Sequence, residues 1–183
     1  MTNFFFALIG AALVNNLILG TALAADAVRQ VRVQALGPAS AVLIAFAAPL
    51  AWLLQQMLLA VALPYLFLLS AVVLLAALAW CVPLLLTRLH PSSGMPDKLW
   101  PALIINGLGA MLLARSLDGF STALALGIGG GLGFWLVLQL MNDLFERLEQ
   151  CAIPAALRGT PMQLICAGLM GLAFLGFNGL GAA

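Results

Sequence analysis

The residues best placed to do chemistry are three amides. Asn15 and Asn16 sit in the run LVNNLILG and Asn106 in LIINGLGA, each flanked by aliphatic side chains. An amide carried into an apolar medium costs free energy unless it finds hydrogen-bond partners. Two roles meet that demand. One is a hydrogen bond to a neighbouring helix, worth around 0.6 kcal/mol inside membranes. The other is capping of a helix that unwinds at that point. Gly107 and Gly109 follow Asn106 closely, so the second role predicts a helix break at Asn106 and Gly107, facing an equivalent break at Asn15 and Asn16.

Glycines form the next pattern. The run GIGGGLG, Gly127 to Gly133, matches no GxGxxG fingerprint in any register, and no strand precedes it as phosphate binding would need. Its Gly127/Gly131 and Gly129/Gly133 pairs are GxxxG spacings, which let helix backbones approach closely. Gly168, Gly171, Gly176 and Gly179 predict a second packing surface of the same kind.

Charged and nucleophilic candidates are few. In DLFERLE, Asp143 precedes Arg147 by four residues, a supportive order on a helix, with Glu146 and Glu149 nearby. This run reads as a solvated helix end or, with Arg158 beyond it, as a docking site for a partner. His90 beside Pro91 reads as a solvated loop histidine, and Asp26 and Asp118 mark helix ends. Cys81, Cys151 and Cys166 form no CxxC, no even disulfide set and no metal-ligand spacing. There is no HExxH, GxSxG or Walker motif, and no unambiguous carboxylate at the centre of an apolar run, so a self-sufficient ion relay is not visible. Autonomous catalysis is not expected, since the paired acid and base that an intramembrane enzyme needs at one depth are missing.

The elements that must hold these residues are membrane helices. Only 7% of the chain is charged and 64% is hydrophobic, with a mean hydropathy of +1.16, against roughly a quarter charged in soluble domains. The net charge of +1 points to no nucleic-acid partner. A spanning helix needs ~20 apolar residues, and six such stretches can be cut where charges, Pro and Gly cluster: roughly 3–25, 37–61, 64–87, 99–115, 119–142 and 160–181. The first 28 residues hold no Lys or Arg, so the basic start of a cleavable signal peptide is missing and the first span is expected to be retained.

Basic residues sort by side. Arg29 and Arg32 lie in the first connection, Arg88 and Lys98 in the third, Arg147 and Arg158 in the fifth, leaving Arg115 alone on the other face. The positive-inside rule then puts the odd connections in the cytoplasm and both termini outside. Three spans precede the RLHPSSGMPDK connection and three follow it. An odd number per half means that homologous halves enter from opposite sides, the inverted repeat of many transport proteins, whose working sites lie near the midplane. A single transmembrane domain, 1–183, with halves of about 1–90 and 97–183, is expected.

The stretch ERLEQCAIPAALRGTPMQLICAGLMGLAFLGFNGL, Glu146 to Leu180, resembles the closing segment of the RnfA/NqrE family, small six-helix subunits of bacterial Rnf and sodium-pumping Nqr redox complexes. The LVNN of the first span resembles a family segment at nearly the same distance from the start. That resemblance implies an all-α fold of two inverted three-helix repeats with broken first and fourth helices. It implies an inner-membrane complex that carries electrons between a cytoplasmic donor and membrane-bound flavins in other subunits, with ion translocation. It also implies a paralogous six-helix partner sharing a 2Fe–2S cluster, to which each chain gives one cysteine from each broken helix. In this chain the first of those positions falls on or next to Asp26 and the second on Gly107. Iron–sulfur clusters want thiolates, and glycine cannot ligate. The expectation is a divergent member that holds no cluster and no other cofactor, and that serves as a structural or electron-transfer-supporting subunit. The alternative is an independent homodimeric transporter or channel on the same fold.

Overall fold

A computed structural model describes residues 36–89, 100–152, 154 and 157–176. Five α-helices run through them: α1 Leu36–Ala60, α2 Phe67–Leu89, α3 Trp100–Ala114, α4 Phe120–Glu149 and α5 Thr160–Leu175, with a 3-10 turn at Pro64–Leu66 between α1 and α2. No strand occurs among the described residues. The helices fall on the second to sixth apolar stretches. The first stretch lies outside the described residues, and with it Asn15, Asn16 and Asp26.

In lipid every backbone N–H and C=O must be satisfied within the segment, which leaves helices as the economical solution for such apolar runs. Three segments, Gly37–Ala60, Pro64–Leu86 and Phe120–Leu148, are long and apolar enough to cross a membrane; Leu103–Ala114 and Thr160–Phe174 are shorter apolar helices. At 1.5 Å per residue the 30 residues of α4 reach roughly 45 Å, well past a ~30 Å hydrocarbon core. The excess is the charged end of the helix, so DLFERLE continues α4 without interruption.

Packing centres on α1. It lies most extensively against α4, then against α3 and α2, while α5 touches the rest only through α4 to any extent. The α1–α4 contact is built from absent side chains. A Cβ on Gly127 would stand 2.8 Å from the carbonyl oxygen of Ala45, and one on Gly131 2.6 Å from that of Ala41. One turn further, a Cβ on Gly37 would meet Trp135 Cδ1 at 2.7 Å. Each four-residue step along α1 is answered by a four-residue step back along α4, so the two helices run antiparallel with their backbones in contact. Gly129 and Gly133 are buried as well.

Around this pair, α2 contributes one stripe. Phe67, Ala71, Leu75, Ala79 and Val82 are buried, whereas Leu69 and Trp80 are each 70% exposed. The exposed side is as apolar as the buried one, which suits a helix facing lipid rather than water. At the far end of α1 the Trp52 Nε1–H donates to the carbonyl of Leu117 at 3.1 Å. The Trp52 ring meets Phe120 edge-on at 5.7 Å, and the Arg115 guanidinium lies 5.2 Å over the Phe67 ring. These contacts fix the turn between α3 and α4 onto α1 and α2.

Two expectations change. The helix carrying Asn106 is not broken at Asn106 and Gly107: α3 is continuous from Trp100 to Ala114 and is merely short. A glycine costs a helix only about 1 kcal/mol, less than the several kcal/mol of freeing backbone groups in lipid, and Asn106 finds a side-chain partner instead. The second change concerns the last helix. Cβ atoms on Gly168 and Gly171 would meet nothing within 4 Å, so among the described residues these glycines form no packing surface. Gly179 lies outside the described residues.

Candidate functional site

Asn106 lies midway along α3 and faces α1. Only 6% of it is exposed, and its Nδ2 donates to the hydroxyl of Ser40, itself fully buried in α1, at 3.3 Å. The hydroxyl gives the amide a polar partner where lipid gives none. Leu103, Ala110, Met111 and Ala114 bury the rest of that α3 face. The arrangement is a polar pair enclosed by aliphatic side chains. It can orient a helix and hold it in register; among the described residues no base stands beside the Ser40 hydroxyl to activate it.

Gly107 is next to this pair and carries its own constraint. The space a side chain would take there is filled by Leu75 of α2 and Leu43 of α1, whose methyl carbons come closer to an ideal Cβ than any real contact allows. The RnfA/NqrE resemblance puts a cluster cysteine at this position. The residues present do not fit such a ligand: there is no thiol, and two leucines occupy its place. Among the described residues no group of three or more His, Cys, Asp or Glu side chains is gathered to hold a metal. Cys81 and Cys151 are exposed, and Cys166 is buried in α5.

The charged end of α4 is a separate region. Asp143, Glu146 and Arg147 are exposed, as is Arg158 beyond the helix. The acid engaged here is Glu146, whose Oε1 accepts from Asn142 Nδ2 at 2.9 Å; the Cys151 thiol donates to the carbonyl of Arg147 at 3.6 Å. The fold brings Asn106 and Gly107 together with α1 and α2 and leaves the α4 end apart from them.

Two further residues of interest are Ser40, which carries little signal in the sequence, and Gln55, which carries more. Ser40, the partner of Asn106, is a lone hydroxyl in GPASAV at the start of a span. Gln55 is buried in α1, and its Oε1 has no hydrogen-bond partner among the described residues. The pair Gln55 and Gln56, near the end of an apolar run, is the amide signal that marked Asn15 and Asn16, and it would have singled out Gln55.

These features define a class: a helical, multi-pass membrane protein built on helices in backbone contact, with a buried amide–hydroxyl pair between two of them. Comparison with known proteins gives the family. The model of the Rnf-Nqr subunit family, described as a membrane protein, matches residues 4–181, and the chain belongs to that family. It is 36% identical to an ion-translocating oxidoreductase complex subunit from Syntrophotalea carbinolica, over 98% of both chains. The like-named subunit from Azoarcus sp. is 33% identical, again over 98% of each. That from Tolumonas auensis is 47% identical across 77 residues, 42% of this chain and 39% of the relative.

Proposed function

We propose that this chain is a membrane subunit of an Rnf/Nqr-type ion-translocating oxidoreductase complex, and that it supports electron transfer and ion translocation without itself holding the iron–sulfur cluster. Full-length similarity to proteins named as subunits of such a complex supports the first part. The observation that carries the cluster-free role is Gly107, which has no ligand to offer and whose side-chain space is taken by Leu43 and Leu75. With thiolates the rule for such clusters, the chain's part is to shape the membrane domain around its partners. Those partners are the flavin-bearing subunits and a paralogous six-helix chain.

The fold in this reading has six spans in two inverted halves, about 1–90 and 97–183. The dominant contact of α1 with α4 supports it, because these are the middle helices of the two halves and run antiparallel, as an inverted repeat requires. The sorting of Lys and Arg supports an inner-membrane orientation with termini outward and the charged end of α4 in the cytoplasm. There Asp143, Glu146, Arg147 and Arg158 would meet a partner.

Affinity purification from native membranes tests the assignment. Flavoprotein and RnfA/NqrE-like subunits are expected to co-purify. A lone, stable homo-oligomer that carries solute or ion flux in liposomes would replace the assignment with an independent transporter. Iron analysis with electron paramagnetic resonance tests the cluster-free role separately: a reducible iron–sulfur signal from this chain alone would overturn it.

A further inference from the structure

A groove of 580 Å³ runs along the outer side of α2, where Phe46 of α1 faces Leu78, Cys81, Val82 and Leu85, and Arg88 closes one end. Val82 is its buried floor, and Phe46 and Leu85 are half-exposed walls. Arg88 stands in the last turn of α2 and is the one charged residue of the lining.

We propose that this groove is a binding site for an anionic phospholipid, with one acyl chain along α2 and the headgroup on Arg88. Three observations point to that occupant. The first is depth: Leu78 to Arg88 spans ten residues, ~15 Å of helix, which is one leaflet of a ~30 Å hydrocarbon core. Arg88 thus lies at headgroup level when Leu78 lies near the midplane. The second is charge. A guanidinium matches a phosphate oxygen pair in geometry and sign, and every other lining side chain prefers hydrocarbon. The third is shape. The lining follows one helix from Leu78 to Arg88, a narrow strip that an extended acyl chain covers along its length. The site is independent of the redox assignment, since none of its residues belongs to the Asn106 and Gly107 region.

Native mass spectrometry of the purified full chain, offered equal amounts of phosphatidylglycerol and phosphatidylcholine, tests the proposal. The first retained lipid is expected to be phosphatidylglycerol by about fivefold, the preference one basic residue gives near anionic lipid. Arg88→Gln should bring the ratio close to one, Arg88→Lys should keep most of it, and Cys81→Trp, which fills the groove, should lower retention of the first lipid. Equal retention of the two lipids by the unaltered chain would overturn the proposal. So would an undiminished preference in Arg88→Gln or undiminished retention of the first lipid in Cys81→Trp, each with helix content unchanged by circular dichroism, or release of a prenylated quinone in place of lipid.

Discussion

Two glycine-rich stretches of this chain are alike in composition and unlike in use. In α4, Gly127 and Gly131 sit against carbonyl oxygens of α1, where even one carbon more has no room. In α5, Cβ atoms on Gly168 and Gly171 would meet nothing within 4 Å among the described residues. Small residues let helices approach, but approach also requires a partner in register. The partner of α4 supplies it: Ala41 and Ala45 repeat at the same four-residue interval as the glycines, and the Pro49 ring stands 3.2 Å from where a Cβ on Gly127 would be.

Substitution at the closed interface should break this comparison most sharply. Gly131→Val drives side-chain carbons into the α1 backbone, which cannot yield as a side-chain end does. A loss of at least about 1–3 kcal/mol is expected in detergent unfolding followed by circular dichroism. Gly107→Ala should cost less, near the lower end of that range, because the obstructing atoms are the flexible ends of Leu43 and Leu75. Adding Leu75→Ala should recover part of the loss, and a double-mutant cycle with no coupling would refute the packing account.

At the open stretch the sign should reverse. Gly168→Ala or Gly171→Ala is expected to leave the isolated chain as stable or to stabilise it by up to about 1 kcal/mol through helix propensity. If the same change weakens co-purification with partner subunits, α5 is a surface completed by another protein. Smallest is the buried polar pair: Asn106→Leu and Ser40→Ala should show a coupling of about 0.6 kcal/mol in the same unfolding measurement. Full loss of folded protein from either change alone would show that the amide does more than hold register.

Hydropathy located the helices well. The stretches expected at 37–61 and 99–115 are observed as Leu36–Ala60 and Trp100–Ala114, because a bilayer-length apolar run has few alternatives to a helix. What hydropathy could not say is which side of each helix meets protein. On α2 the buried Ala71, Leu75 and Ala79 and the exposed Val72, Val73 and Trp80 are all apolar, so the 3.6-residue signal that marks an inner face in water is erased. The same limit hid the Asn106 partner. Ser40 is 66 residues away, and nothing local in α3 distinguishes an amide that caps a broken helix from one that bonds across to another. The midplane role expected of Asn15 and Asn16, and the position at Asp26 that the resemblance aligns with a cluster cysteine, lie outside the described residues.

The length of α4 has a mechanical consequence. Its backbone is clasped by α1 at Gly127 and Gly131, with Trp135 against Gly37, and it continues unbroken to Glu149 with Met141 and Phe145 still buried on the way. A helix held along most of its length acts as a strut: a push or pull on the charged tip is carried along it rather than absorbed by bending. Whatever binds at Asp143 to Arg147 therefore has a stiff connection to the packed centre of the membrane domain.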